Sequence, residues 1–251
     1  MGVPPPPGVE LTVATLAIVG PVAFAAAALA AVTGFGGAAV LLPALVAAFG
    51  VRAAIPILTV AQLIGNGSRV WFNRRDLDLR VVGWFALGGV PFGLAGGLLF
   101  ATAPLAQLTR LLGLFLLLVV LWRHLRPGPP RRPPLGSFAL IGALASFLSA
   151  LIGSVGPLMA PFFLAYGLVK GAYIGTEALA TVVMHVTKLA AYRRGAVLGA
   201  DVLVVGLALG PMMVAGSWTG KRIVDRLPER VFVAIIELTL VTAGALFLIR
   251  G

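Results

Sequence analysis

Long apolar segments, separated by short charged clusters, constrain the fold of this chain more than any other feature. We mark them at 11–33, 38–50, 53–72, 79–101, 104–125, 136–153, 157–168, 171–192, 198–220 and 229–249. Most are close to the length of about 20 residues that an α-helix needs to cross a hydrocarbon core of about 30 Å. Because only 11% of the residues are charged, the chain cannot cover itself as a soluble domain would. We therefore predict an all-α polytopic membrane protein, with roughly 8–10 hydrophobic segments.

Sequence features of several other protein classes are missing. The chain has no cysteine, which excludes disulfides and thiolate metal sites. The N-terminus, MGVPPPPGVE, has no basic residue before its apolar run, so we do not expect a cleavable signal peptide. No GxxxxGK[ST] nucleotide-binding motif is present. We interpret the net charge of +11 as topology signals beside membrane spans. We expect no cofactor, no metal and no nucleic-acid partner.

The chain divides into two related halves. A proline-rich linker at 126–135 separates a first transmembrane repeat at 11–125 from a second at 136–251, and a short tail at 1–10 precedes both. An offset of 119 residues superposes Gly34, Gly37, Gln62, Asn66 and Arg69 on Gly153, Gly156, Thr181, His185 and Lys188. Internal duplication of this kind is typical of secondary transporters.

The distribution of basic residues predicts how the chain is oriented. Loops on one predicted side, among them the linker, hold twelve of the nineteen Lys and Arg residues, and the other side holds five. By the positive-inside rule, the linker is cytoplasmic and both termini lie outside. Since each half then has an odd number of crossings, we predict an inverted repeat. The expected location is the inner or plasma membrane of a prokaryotic cell.

Two glycine-rich breaks interrupt the apolar pattern at matching places. One reads TGFGGAAVLLP from position 33, and the other reads GSVG from position 153. The apolar runs that follow them have about 12 residues or fewer, too short to span comfortably. Matched breaks in two halves predict a binding site at the repeat interface. Backbone N–H groups and helix N-termini at Gly34, Gly36, Gly37, Gly153 and Gly156 would favour an anion.

A second interpretation of these glycines is that they only allow helices to pack closely. This is our interpretation of Gly93 and Gly97, in the segment PFGLAGG. For the two breaks, both interpretations stay open.

The chain resembles the TauE/SafE sulfite exporter family over nearly its whole length. The resemblance is carried by TGFGGAAVLLPALVAAFG and the helix ending in an arginine pair, then by IGSVGPLMAPFFLAYG and GTEALATVVMHVTKLAAY. It implies a membrane transporter of small sulfur-containing or organic anions, such as sulfite, sulfonates or sulfoacetate.

Polar residues recur at helical spacing on one face of a predicted helix in each half. They are Gln62, Asn66 and Arg69 in the first half, and Glu177, Thr181, His185 and Lys188 in the second. Ionisable groups at membrane depth are expensive and mark functional sites by default. We predict that Arg69 and Lys188 attract the anion, with hydrogen bonds from Gln62, Asn66, Thr176 and Thr181. The alternative is that both cations extend to the membrane interface.

Glu177 and His185 are candidates for carrying a coupled proton. A histidine titrates near neutral pH, and burial can bring a carboxylate into the same range. Alternatively, Glu177 neutralises Lys188 or His185 on its own helix face. We expect Glu237 to pair with a buried cation such as Lys188.

Together these features predict a secondary transporter for a small anion, working by alternating access with ion or proton coupling. The alternatives are an anion channel and, with less support, an intramembrane enzyme, because the eight acidic residues are scattered. The expected partners are the anionic substrate and the lipid bilayer. The substrate, the direction, the coupling ion, the choice between 8 and 10 crossings and the oligomeric state, a homodimer included, stay open.

Overall fold

The protein is a bundle of α-helices in the residues that the computed structural model describes, which are 12–102, 132–153, 155–232 and 234–235. The helices are α1 (Val13–Thr33), α2 (Gly37–Phe72), α3 (Leu79–Thr102), α4 (Ser137–Ile152), α5 (Gly156–Tyr166), α6 (Lys170–Arg194), α7 (Ala200–Ala208) and α8 (Gly210–Arg226). They coincide with the predicted apolar segments to within a few residues, so the predicted all-α fold is confirmed. The predicted segment 104–125, most of 229–249 and Glu237 lie outside the described residues.

Four helical stretches in the described ranges are long and apolar enough to cross a membrane. They are α1, α2, α3 and the continuous stretch Ala200–Arg226, which joins α7 and α8. The helix α4 is apolar but shorter, with 16 residues. With 25 residues, α6 is about 37 Å long. It is less apolar than α1 to α5 because it carries buried polar side chains. The protein is therefore a polytopic membrane bundle.

Both predicted breaks are present, and the glycine that ends the preceding helix has the same conformation in each. The helix α1 ends at Gly34 with φ +82°, and α4 ends at Gly153 with φ +83°. This left-handed conformation ends a helix and is open mainly to glycine. A short helix follows each break, and a second interruption, at Gly50 or Gly167, ends that short helix. The two half-helices predicted from the sequence are thus residues 37–49 of α2 and the whole of α5.

Helix packing relates the two halves to each other. The helix α1 packs along α8, and α3 packs along α4, so both of these contacts join different halves. At the offset of 119 residues, α1 corresponds to α4 and α3 corresponds to α7 and α8, so these two contacts are equivalent. The helix α2 packs against α6, which is part of its own counterpart. This arrangement agrees with the predicted duplication. The domain boundaries and the inverted orientation stay predictions, because much of the linker lies outside the described residues.

Glycines allow the closest of these helix contacts. A Cβ atom on Gly216 of α8 would lie 2.2 Å from the carbonyl oxygen of Phe24, and one on Gly142 of α4 would lie 2.1 Å from that of Phe85. In α3, a Cβ on Gly97 would lie 2.5 Å from Ala191 Cβ, and one on Gly93 would lie 3.1 Å from Thr187 Cγ2. The packing role predicted for Gly93 and Gly97 is confirmed.

Candidate functional site

Arg69, near the end of α2, binds the carbonyl end of α1. Its Nη1 donates to the carbonyl oxygens of Ala30, at 2.9 Å, and Gly34, at 3.0 Å, and its Nη2 donates to Asn66 Oδ1. The last carbonyls of a helix carry partial negative charge, so a cation beside them stabilises the helix end. Because Arg69 is only 4% exposed, it does not extend to the membrane interface.

Lys188 makes the equivalent contact in the second half. Its Nζ donates to Ser149 Oγ at 3.0 Å and lies 3.4 Å from the carbonyl oxygen of Ser149. Ser149 follows Ala30 by the same 119 residues that separate Lys188 from Arg69. Both carbonyls also accept a hydrogen bond from the N–H of the left-handed glycine that ends the helix. Lys188 is completely buried, so the interfacial alternative is wrong for this residue too.

A buried carboxylate distinguishes the two cations. Glu177 Oε2 lies 3.5 Å from Arg69 Nη1, and both side chains are buried. The alternative pairing of Glu177 with Lys188 or His185 is therefore wrong, because α6 packs against α2 and brings Glu177 to a cation of the other half. At the offset of 119 residues, the counterpart of Glu177 is Leu58. Among the described residues, Lys188 has no ion pair.

A small cavity lies where the two breaks meet. Its volume is about 40 Å³. Since a water molecule needs about 10–15 Å³ on this measure, the cavity has room for about three waters or one small oxyanion. The predicted site residues that line it are Gly34, Gly36, Gly37, Gln62, Asn66, Arg69, Gly153, Gly156, Glu177, Thr181 and His185.

Two predicted site residues lie outside the cavity lining. Thr176 Oγ1 accepts a hydrogen bond from the N–H of Asp78 at 2.9 Å, just before α3 begins. Thr176 therefore holds the start of α3, which corrects its expected place in the site. Lys188 lies behind Ser149, and it is Ser149 that lines the cavity. Whether any of these residues contacts a substrate stays a prediction.

Unpartnered polar atoms concentrate around the cavity. Among the described residues, Gln62 Nε2, Glu177 Oε2 and His185 Nδ1 are buried without a hydrogen-bond partner, and all three residues line the cavity. An unsatisfied buried polar group costs about 1–3 kcal/mol. Such groups in a native protein call for an explanation, and a polar occupant of the cavity would supply one.

Two helix N-termini complete the polar lining. The short helix at the start of α2 begins at Gly37, and α5 begins at Gly156, neither with a side-chain cap. Gly37, Ala38 and Gly156 line the cavity. The uncapped N–H groups at such ends carry partial positive charge and favour anions. With the guanidinium of Arg69 and the amide of Gln62, the lining offers donors that suit a small oxyanion.

The same glycines also make close contacts. A Cβ on Gly34 would lie 2.4 Å from the ring of Tyr173, one on Gly37 would lie 2.7 Å from the carbonyl oxygen of Ala26, and one on Gly156 would lie 2.6 Å from Phe35 Cβ. The two interpretations of the glycines are therefore compatible: the breaks pack tightly, and they line a polar cavity.

Two residues beside the site, Tyr173 and Ser149, were not predicted from the sequence. Tyr173 donates from its hydroxyl to the carbonyl oxygen of Thr33 at 3.1 Å and covers the first break. Because Tyr173 lies one helical turn before Glu177 on the same helix face, its place beside the site could have been predicted from the sequence. Ser149 gave no such signal, because its counterpart, Ala30, has no polar side chain.

The chain is similar to a known protein family. The family model described as "Sulfite exporter TauE/SafE" matches residues 19–247, which include every residue of the cavity lining. No curated protein and no solved structure matches the chain.

Proposed function

Because this chain belongs to the sulfite exporter TauE/SafE family, we propose that it moves a small anion across the cell membrane as a secondary transporter. Its helices make it a multi-pass membrane protein, and its family is one of transporters. We propose sulfite, a sulfonate or sulfoacetate as the substrate, and transport rather than catalysis.

The single observation that carries this proposal is the composition of the cavity between the breaks. Two uncapped helix N-termini, a guanidinium and an amide donor surround a cavity of about 40 Å³. The three oxygens of a sulfite or sulfonate group could accept hydrogen bonds from several of these donors together. The cavity volume is large enough for one sulfite or sulfonate group. A longer substrate would need the cavity to widen.

Alternating access would expose this cavity to one side of the membrane at a time. Its polar lining residues are almost fully buried, as expected for a closed arrangement. In transporters with duplicated halves, one half commonly rocks or gates against the other around a fixed site. The contact between Phe35 and Gly156 joins the two breaks and would have to separate. We propose an ion or proton gradient as the driving force.

Thermal unfolding of the purified protein with candidate anions tests the proposal. A ligand that binds only the folded state raises its stability. Sulfite, sulfate, thiosulfate, sulfoacetate and small carboxylates form the panel, and we expect at least one sulfur oxyanion to stabilise the protein. Stabilisation by none of them, with no uptake into vesicles, would overturn the proposal. Vesicle flux far above transporter turnover would instead favour an anion channel.

The variant Gln62→Leu tests whether the anion binds in the cavity, and it should leave folding largely intact. It removes a buried donor that has no partner, which costs little or is stabilising. We expect anion affinity to fall about 10–150-fold, which corresponds to the loss of one hydrogen bond to a charged group. The matched control is Ser146→Ala, which removes another unpartnered buried polar atom away from the cavity lining. It should bind the anion normally, and equal losses in both variants would contradict the proposed site.

We also propose that the linker at 126–135 is cytoplasmic and that both termini lie outside the cell. The chain has no cysteine, so single cysteines can be introduced without background labelling. A cysteine in the linker should be protected from a membrane-impermeant reagent applied to intact cells. Labelling of the linker from outside would reverse the proposed orientation.

A further inference from the structure

We propose that Glu177 and the transported anion compete for Arg69, so that the anion binds when Glu177 is protonated and one proton crosses with each monovalent anion. This inference rests on the proposed function and specifies its coupling ion. It starts from the ion pair between the halves, in which Glu177 Oε2 lies 3.5 Å from Arg69 Nη1.

The two oxygens of the Glu177 carboxylate have different surroundings. Glu177 Oε1 accepts a hydrogen bond from Thr181 Oγ1 at 3.0 Å. Glu177 Oε2 has the charge of Arg69 nearby but no hydrogen-bond partner in the part of the chain that the structure describes. Arg69 contributes the same Nη1 to two carbonyl oxygens, and these bonds keep the guanidinium in place when the carboxylate changes its charge. Glu177 can thus gain or lose a proton while Arg69 stays in position.

The charges of the lining explain why anion and carboxylate exclude each other. Among the described lining residues, Arg69 and Glu177 are the charged pair, and together they are neutral. An anion beside Arg69 would be a second negative charge close to the ionised carboxylate, and like charges at a buried site disfavour each other. A proton taken from the aqueous side onto Glu177 Oε2 removes that repulsion and leaves one positive charge for the anion.

Other titratable groups lie near Glu177 on several elements. On α6, Tyr173 is one turn before it and donates to Thr33, while His185 and Lys188 lie two to three turns after it. Asp76 and Asp78, which connect α2 to α3, approach Gly171 and Thr176, near the start of α6. The described lining residues of α1, α4 and α5 carry no charge. His185 is the main competitor for the proton, because its Nδ1 is unpartnered.

The asymmetry between the halves sets the stoichiometry at one proton. Leu58, 1% exposed, occupies the position in α2 that corresponds to Glu177. The second cation therefore faces no carboxylate at the equivalent place. Coupling by competition moves proton and anion in the same direction, so the protein would act as a symporter.

Methanesulfonate is a suitable probe, because this small monoanion keeps its charge across the pH range of interest. Its affinity for the full-length wild-type protein is measured by calorimetry between pH 5 and pH 9. We expect the affinity to fall with rising pH, approaching tenfold per pH unit where Glu177 has lost its proton. Calorimetry in two buffers of different ionisation enthalpy should show that the protein takes up one proton for each anion bound, in the pH range where Glu177 has lost its proton.

The variant Glu177→Gln keeps a carbonyl acceptor for Thr181 and cannot ionise. We expect it to bind methanesulfonate independently of pH and, in vesicles, to exchange the anion without proton movement. His185→Gln is the matched control and should keep the wild-type pH dependence. A pH dependence that persists in Glu177→Gln and vanishes in His185→Gln would overturn the inference.

The wild-type measurements decide the matter even if Glu177→Gln fails to fold. Binding that is independent of pH and takes up no proton would overturn the competition while leaving the proposed anion transport intact. If neither methanesulfonate nor any anion of the panel binds at any pH, the proposed function fails, and the inference fails with it.

Discussion

Arg69 and Lys188 occupy equivalent places in the two halves, yet only Arg69 has a carboxylate for a partner. Each binds a carbonyl four residues before a left-handed glycine, which stabilises the end of the helix before the break. This shared contact is structural. The difference lies in charge, because Glu177 neutralises Arg69 and no described carboxylate pairs with Lys188. The comparison therefore separates what the two cations do for the fold from what one of them does for the anion.

The two cations also differ in their access to the cavity. Arg69 lines it directly, whereas Lys188 is separated from it by Ser149. The first half thus contributes the cation that lines the cavity, and the second half contributes the carboxylate paired with it. Variants of the two cations and of the contacts around them test this division.

Arg69→Gln should have the largest effect. It removes two bonds to the end of α1 and leaves Glu177 as an unpaired buried charge, a change that typically costs about 3–5 kcal/mol. Thermal unfolding should show the loss, and anion binding should be absent at every pH. The double variant Arg69→Gln/Glu177→Gln should regain stability without regaining binding. Wild-type affinity in either variant would remove Arg69 from the site.

Lys188→Gln should have a smaller effect than Arg69→Gln. It weakens the contact to Ser149 but leaves no described carboxylate unpaired, so we expect a stability loss of about 1–3 kcal/mol. Anion affinity should change less than tenfold, since Lys188 does not line the cavity. If calorimetry shows that Lys188→Gln loses anion binding as severely as Arg69→Gln, the two cations are functionally equivalent. The proposed difference between them would then be wrong.

Gly156→Ala tests the contact between the two breaks. The added Cβ would lie 2.6 Å from Phe35 Cβ, an overpacking that should cost about 1–3 kcal/mol and slow transport. The control is Gly67→Ala in α2, where a Cβ would meet no atom within 4 Å. This control should be neutral or slightly stabilising. Unfolding temperatures and vesicle uptake that do not distinguish the two variants would show that the breaks need not pack closely.

Thr181→Val should have the smallest effect. Valine keeps the shape of threonine but removes the hydroxyl that donates to Glu177 Oε1. The ionised carboxylate loses a charge-assisted hydrogen bond, so Glu177 should keep its proton to a higher pH. We expect the midpoint of the binding-versus-pH curve to rise by about one pH unit. A curve that stays in place would argue against Glu177 as the group that loses the proton.

The sequence predicted the helices, the breaks and their equivalence well, because each depends on local composition or on a constant offset. Apolar segment length predicts a membrane helix, and Gly34 and Gly153 end their helices in the same conformation. Most of the predicted site residues proved to be neighbours around one cavity. That result follows from the helical spacing on α2 and α6 once these two helices pack together.

The partners of the buried charges could not be predicted. Helical spacing shows which residues share a face of one helix, but the Arg69–Glu177 pair depends on how two distant helices pack. Proximity to a helix end left open the alternative that Arg69 and Lys188 reach the membrane interface, whereas their hydrogen bonds to carbonyl oxygens hold them inside the protein. Thr176 was misplaced for a similar reason, since its contact with Asp78 comes from the packing of α3 against α6.

The most direct test of the central claim is an experimental structure of the protein with selenite, an analogue of sulfite that scatters anomalously. We predict an anomalous peak between the start of α2 and the start of α5, within hydrogen-bond distance of Gln62 or Arg69. Selenite bound elsewhere, with the space between the two breaks filled by dry helix contacts, would contradict the account.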